Sequence, residues 1–481
     1  MCRWMLSVLC AIAAASVQAQ TPVSGEQTGT WSLAGSPYHL VGDVFVPEGD
    51  SLTIEPGVEV VGMGHYSITV EALAVLTAAG TLELPILFTS ADQTAGWRGL
   101  KLDGSSGASV IRHCVFEYAK ADGLAYPQVR GGALRIINCS PEVSFSEFRF
   151  NVSRNANFNG TGGGIYIEAS NAVVFANFLH NNTADSGAGI CVLGNGSPEI
   201  RHNRLADNSA NYAGGGLYLG TGSTPIVHGN TIVGNFSAGW GGGGINIWGA
   251  YLADVPTMVY NNIIAGNSTS AAGGGIYCRY DRSVLANNLL GFNQAFRGGG
   301  LFVLNQGGSV PRLENSIVWG NTANTQPQLG LEDSTNSELT VRYSNIAGGY
   351  PGPGNIDADP LFVEPESGVY RLLPGSPCID AGDNDGVPAG VAVDLDGNAR
   401  FIDDPATEDT GNGTAPIVDI GPYEYQLCPA DFNGDGAVNT IDVIVFLGAW
   451  AAGDASADFN GDGEINTLDV LAFLEAWSAG C

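Results

Sequence analysis

The residues best suited to chemistry stand near the end of the 481-residue chain. Asp431, Asn433, Asp435, Ala437, Asn439 and Asp442 fall at positions 1, 3, 5, 7, 9 and 12 of a twelve-residue segment. Asp458, Asn460, Asp462, Glu464, Asn466 and Asp469 repeat the pattern 27 residues later. A hard cation such as calcium takes six to eight oxygen ligands. Side chains supply them at positions 1, 3, 5, 9 and 12, a backbone carbonyl at position 7, and Gly at position 6 makes the sharp turn. Gly436 and Gly463 occupy that sixth place. The spacing therefore predicts two calcium ions, with Ala437 and Glu464 contributing through their carbonyls. Charge argues the same way. Residues 428–481 hold nine acidic side chains and no Lys or Arg, and six of the nine sit at positions 1, 5 and 12. Without a cation those carboxylates repel one another at close range, so folding of this module is expected to depend on calcium.

An apolar helix is expected after each loop, Val443 to Trp450 and Val470 to Trp477, whereas Cys428-Pro429-Ala430 is too short to form one before the first. A loop–helix half, duplicated, with Asp in place of the usual Glu at position 12, resembles a type I dockerin rather than an ordinary EF-hand pair. The resemblance spans residues 428–481 and implies docking on a cohesin-like protein or another cell-surface component. Dockerins read their partner largely through loop positions 10 and 11, often a Ser/Thr pair, with basic residues further on. Here those positions are Thr440-Ile441 and Thr467-Leu468, and no basic residue follows. The departure leaves the partner open. Cys428 and Cys481 bracket the module, and a disulfide closing its ends is expected.

The body that carries this module is repetitive. A Gly-rich turn followed by an apolar residue recurs as Gly131-Gly132-Ala133-Leu134, Gly162-Gly163-Gly164-Ile165, Gly187-Ala188-Gly189-Ile190 and Gly214-Gly215-Gly216-Leu217. It continues at Ile245, Ile276 and Leu301, with anchor spacings of 31, 25, 27, 28, 31 and 25. Asn177, Asn203, Asn230, Asn262, Asn288 and Asn315 keep step with it, each followed five or six residues later by Asn182, Asn208, Asn235, Asn267, Asn293 or Asn321. Two registers in phase over more than 140 residues describe a coil in which each turn adds one short strand to each of several parallel sheets. Gly supplies positive φ at the corners, and Asn tolerates the left-handed region and stacks its amide on the next turn. These residues read as architecture. No Lys-Ser/Thr follows any Gly run, which excludes a P-loop. Cys114 and Cys139, 25 apart, are expected on neighbouring turns as a buried pair or a disulfide.

These patterns resemble the right-handed parallel β-helix, pectate-lyase-like superfamily, and within it bacterial repeat proteins. Leu52-Thr53-Ile54-Glu55-Pro56-Gly57-Val58 and Phe88-Thr89-Ser90 look like its first coils. Pro374 to Gly382, Asp394 to Arg400 and Asp419 to Tyr425 look like its closing region. The expectation is an all-β solenoid over residues 22–426, about 15 turns and ~70 Å long, followed by a small α-helical module. Asp394 to Arg400 could be read as a calcium loop, but a terminal cap is the better reading.

Arg3, the apolar run Met5–Ala15 and Val17-Gln18-Ala19 form a secretory signal, residues 1–19, cut after Ala19. No later apolar run is long enough to span a bilayer, so a secreted, extracellular or cell-surface protein without a membrane span is expected. The formal net charge is −30, with only two lysines, Lys101 and Lys120. That excludes nucleic acid and disfavours direct contact with a polyanion unless calcium bridges the two. Seven cysteines remain after signal removal, too few for a disulfide scaffold.

Catalysis is the open question. The resemblance implies either a polysaccharide lyase, which needs an Arg or Lys base beside acidic calcium ligands, or a glycoside hydrolase, which needs paired carboxylates ~5–9 Å apart. The local groups are Arg279-Tyr280-Asp281-Arg282, the set Arg201, Arg204 and Asp207, and His180, His202 and His228. A solvated loop or outward strand position is the plainer reading of each, so no catalytic residue is assigned. Trp240, Trp248, Tyr251 and Tyr260 are the aromatics that could line a glycan groove. Two functions follow: binding or degradation of extracellular polysaccharide by a chain docked through its calcium module, or a non-catalytic structural or adhesive role at the cell surface.

Overall fold

The structure, a computed structural model, describes residues 20–123, 126–155, 157, 159–249, 255–305, 310–332, 337–434 and 437–479. The signal segment, Tyr251, Asp435 and Cys481 lie outside the described residues.

One full turn of the coil shows how the rest is built. Ile165–Glu168, Val173–Phe175, Phe178–His180 and Thr183–Ser186 are four short strands in succession. Each pairs in parallel with the strand one turn on: Ile165 with Ile190, Val174 with Ile200, Leu179 with Leu205, Ala184 with Ala210. Repetition gives four faces. The first runs from Ile68–Val70 through Leu100–Asp103 and Leu134–Ile137 to Leu329–Leu331. The second is a 12-stranded sheet from Gly29–Trp31 to Thr340–Arg342. The third runs from Glu59–Gly62 to Asn345–Ile346, and the fourth is an 8-stranded sheet from Lys120–Ala121 to Thr322–Thr325. Twelve strands ~4.8 Å apart make a stack of about 53 Å.

Strand alternation fills the interior. Ile165, Ile167, Val174 and Leu179 are fully buried, as are their counterparts Ile190, Ile200 and Leu205. Each such side chain contributes about 1.5–3 kcal/mol on leaving water. Phe88, Phe116 and Phe148 stack on successive turns with ring centroids 4.5 and 4.9 Å apart.

The corners divide their labour differently from the sequence expectation. The ladder asparagines do not adopt positive φ. The residue before each one does: Ala176 (φ 54°) precedes Asn177, and Asn181 (φ 53°) precedes Asn182. The asparagines instead stack, Nδ2 to Oδ1, through Asn177, Asn203, Asn230, Asn262 and Asn288, and through Asn151, Asn182, Asn208, Asn235, Asn267, Asn293 and Asn321. Asn315 is not part of the first ladder. It occupies the positive-φ place (47°), and Ser316 takes over as acceptor for the Asn288 N–H at 3.1 Å. In the Gly triplets only the first needs the left-handed region, as Gly242 does (φ 70°). The second is Gly for room: a Cβ on Gly243 would lie 2.5 Å from the carbonyl oxygens of both Gly274 and Ser268.

Two further expectations are corrected. Cys114 and Cys139 are both buried and free, and they do not stack. Cys114 opens a third-face strand, where its N–H donates to Ser146 Oγ, whereas Cys139 follows a first-face strand and its thiol donates to Leu102 O. The turns in this stretch are about 32 residues long, so a spacing of 25 changes corner. The stacking also ends at Ile346 rather than near residue 426, with a 12-stranded second face where about 15 turns were expected. Pro351, Pro353 and four glycines between 348 and 354 remove ladder donors and stiffness at that point. Residues 347–426 form a cap with an antiparallel pair, Phe362–Glu364 with Val369–Leu372. Helices α1 (Thr440–Ala452) and α2 (Thr467–Ala479) follow.

Candidate functional site

The two C-terminal loops are built alike. Asp442 Oδ1 and Oδ2 accept from the N–H groups of Asn433 (3.2 Å) and Asn439 (2.8 Å). Asp469 accepts from Asn460 (3.2 Å) and Asn466 (2.7 Å) in the same way. Both carboxylates are fully buried, and the Asn466 N–H holds the Asp469 carboxyl below its ordinary range. In the second loop Asp458 accepts from the N–H groups of Asp462 and Gly463, and Asp462 from Glu464, which curls the segment around positions 1, 3 and 5. Each helix closes the opposite loop: Trp450 Nε1 donates to Asn466 O at 2.7 Å and Trp477 Nε1 to Asn439 O at 2.8 Å. Phe446 and Phe473 stack 4.1 Å apart at the centre. Buried carboxylates, positive-φ Gly463 and an all-oxygen donor set fit a hard cation. Cys428 is disulfide-bonded, while its expected partner Cys481 lies outside the described residues. Ile441, Ile444, Leu468 and Leu471 present an exposed apolar surface on the two helices.

The second candidate region is the outer side of the first face. The residue after each Leu/Ile anchor lies on the side away from the coil interior, giving the column Lys101, Arg135, Tyr166, Cys191, Tyr218, Asn246, Tyr277 and Phe302, of which all but Lys101 and Tyr218 are themselves buried. Two residues along lie Asp103, Glu168, Trp248 and Arg279. At one end Arg135 pairs with Asp103, and Glu168 accepts from the hydroxyls of Tyr126 (3.0 Å) and Tyr166 (2.7 Å). Burial, then the charges of Arg135 and Arg98, push Lys101 down to about 8. At the other end Trp240 and Trp248 rings lie 5.5 Å apart, and the Arg279 guanidinium sits 4.2 Å from Trp248 and 5.9 Å from Trp240. Trp240 is 54% exposed. Asp281 is buried beside this corner, and burial pushes it up to about 6.

The sequence-derived groups fare unevenly. Trp240, Trp248 and Arg279 come together. Tyr260 lies on the second face, stacked 4.8 Å from His228. His202 and His228 are ring neighbours at 5.7 Å, as the spacing implied, but His180 is on the third face, paired with Glu147. Arg201, Arg204 and Asp207 do not converge: Arg201 stacks on Phe175 on the second face, Arg204 opens a third-face strand, and Asp207 is a corner. The Lys101–Arg135–Glu168 grouping was missed, although the Gly-turn anchors reveal it once the next residue in each turn is read as a column.

The closing segments meet in the cap. Arg400, fully buried, pairs with Glu424 at 3.2 Å and donates to Asp419 O and Gly421 O. Asp394 accepts from the N–H groups of Asp396, Asn398 and Glu424, which ties this loop to the closing segment.

Comparison with known proteins matches residues 147–346 to the right handed beta helix region model and residues 25–120 to the pectate-lyase like beta helix domain model. No curated protein matches the chain. Together with the stacked parallel faces, these matches make residues 147–346 a right-handed β-helix and residues 25–120 a pectate-lyase-like stretch of the same coil.

Proposed function

We propose that this is a secreted protein that binds extracellular polysaccharide along the first face of its β-helix and is held in place by a dockerin-like module. The observation that carries the reading is the Trp240–Trp248–Arg279 stack. Exposed Trp240, tilted against half-buried Trp248, presents apolar surface to a sugar ring, and the guanidinium over Trp248 supplies donors for hydroxyls. The pectate-lyase-like match over residues 25–120 of the same coil supports a glycan as the ligand class. Residues Asp431, Asn433, Asp435, Asn439 and Asp442, with Asp458, Asn460, Asp462, Asn466 and Asp469, would hold two calcium ions, aided by the carbonyls of Ala437 and Glu464. Calcium would neutralise their repulsion and fix the two helices, whose apolar residues Ile441, Ile444, Leu468 and Leu471 suit a protein partner with an apolar docking face.

The test is binding of the full chain to a panel of neutral and uronate-containing polysaccharides. W240A/W248A is expected to weaken binding to the preferred glycan at least tenfold. No retention by any glycan, or retention unchanged in the double variant, refutes the reading.

One observation favours cleavage over binding alone. Lys101 is a lysine shifted toward neutrality beside Asp103 and Asp43, which suits a general base. If the face performs β-elimination, unsaturated product absorbing in the ultraviolet forms with the wild-type chain and is lost in Lys101→Met while glycan binding persists. Absence of product from every glycan removes the enzyme reading and leaves a binding protein.

A further inference from the structure

Charge along the chain is uneven. The residues after Ile346 hold 24 of the 48 acidic side chains but only 2 of the 18 basic ones, a net of −22. Those two are already engaged: Arg371 with Asp396 at 2.6 Å and Arg400 with Glu424 at 3.2 Å. Within this acidic end one carboxylate is placed unusually. Asp380 is fully buried in the cap. Its Oδ2 accepts from the Asp404 N–H at 3.2 Å, but its Oδ1 has no hydrogen-bond partner.

The segment 403–411 wraps around that residue. The N–H groups of Thr410 and Gly411 donate to Asp380 O at 3.0 and 3.1 Å. The wrap carries Asp403 and Asp409 to the same spot. One carboxylate oxygen from each of Asp380, Asp403 and Asp409 lies within 4.8 Å of the other two. The largest charge effects on Asp380 come from Asp409, Asp403 and Asp404, all carboxylates. A buried carboxylate oxygen without a partner costs several kcal/mol unless something compensates it. Hydrogen bonds within the cluster do not, since no donor reaches Oδ1.

A cation does. Three carboxylate oxygens, without nitrogen or sulfur, select a hard divalent ion. Three carboxylate oxygens within 4.8 Å of one another can share one calcium shell, whose bonds are about 2.4 Å and which tolerates the irregular geometry of a loop. Asp403 and Asp409 are exposed, so water can complete the shell from one side. We propose that Asp380, Asp403 and Asp409 form a third calcium site, distinct from the two C-terminal loops, which pins segment 403–411 against the cap.

The test is calorimetric titration of the full chain with calcium chloride. D403N/D409N changes two exposed side chains, and far-ultraviolet circular dichroism checks that the fold is kept. The wild-type chain is expected to bind three equivalents and D403N/D409N two. In a chain whose loops are disabled by D431N/D442N/D458N/D469N, one equivalent should remain, and adding D403N/D409N should remove it. Unchanged stoichiometry in D403N/D409N, or no residual binding in the loop-disabled chain, overturns the proposal. Failure of the loops alone reads differently: wild-type and loop-disabled chains would then bind the same single equivalent.

Discussion

Replacing Asn230 separates the two roles that a ladder asparagine plays. Its Oδ1 accepts from the Asn203 N–H (2.9 Å) and from Asn203 Nδ2 (3.0 Å). Its Nδ2 donates to Ile200 O, His228 O and Asn262 Oδ1 at 2.8–3.0 Å. Asn230→Ala leaves the Asn203 N–H without an acceptor in a site closed to water. One orphaned buried donor costs about 1–3 kcal/mol, and the remaining bonds are each worth roughly 0.5–1.5 kcal/mol net. With the small cavity left behind, the loss should be about 3–5 kcal/mol. Asn230→Ser restores an oxygen at the required place, because Ser146, Ser316 and Ser344 already perform this task at the ends of the same ladder. Ser should therefore recover about 1–2 kcal/mol of the loss. Urea unfolding followed by circular dichroism measures the difference, and hydrogen exchange at the Asn203 amide localises it. If Ala and Ser prove equally destabilising, or the Ala cost falls below about 1 kcal/mol, the satisfied N–H is not what holds the corner.

Other outcomes follow from the same geometry. Gly243→Ala should destabilise more than Asn230→Ser, since the new methyl meets two backbone oxygens at 2.5 Å that cannot rotate away, and thermal melting ranks the two variants. Asp281, pushed up to about 6 by burial, binds its proton more tightly folded than unfolded. Stability should therefore fall as pH rises from about 4 to 6, and Asp281→Asn should flatten that slope while stabilising the chain at pH 7 by about 1–3 kcal/mol. A melting series across pH 4–8 with no difference between the two chains would contradict this. Chelation should erase the helical signal of residues 440–479 and leave the β-sheet signal intact, because the coil is held by apolar packing and amide ladders rather than by ions.

How far the sequence reveals the molecule depends on which physical constraint acts. The coil is legible because one geometry recurs. A residue such as Gly243 recurs as Gly in most turns, with Ala188 an exception, for the carbonyl of the next turn lies where its Cβ would be. The end of the coil is less legible, since Asn315 copies the ladder's residue type and near-correct spacing while sitting one place early, at positive φ. The Cys114–Cys139 error has the same origin, as the period itself changes from about 32 to about 26 residues along the chain. The candidate face was half legible. Trp240 and Trp248 are close in sequence and could be guessed as neighbours, whereas Lys101, Arg135 and Glu168 meet only after register is assigned. Asp380, Asp403 and Asp409 come from irregular loops with no period, and nothing in their spacing announces that they share a point.

The concentration of charge beyond Ile346 allows one experiment to discriminate ligation from simple screening. Carboxylates that only repel can be relieved by any salt, since the Debye length falls from about 10 Å at 0.1 M to about 3 Å at 1 M. Carboxylates arranged as ligands cannot, because sodium neither matches the shell nor replaces the lost hydration of a buried oxygen such as Asp380 Oδ1. In the chelated chain, 1 M sodium chloride should therefore leave the helices of residues 440–479 largely unfolded, while calcium at a few millimolar should restore them. The two salts act on the same 24 acidic residues, so long-range repulsion is reduced in both arms and the difference isolates coordination. Full recovery of helical signal in sodium chloride alone would mean that the C-terminal module needs ionic strength and not an ion at a defined point, and the assignment of ligands at the two loops would fall with it.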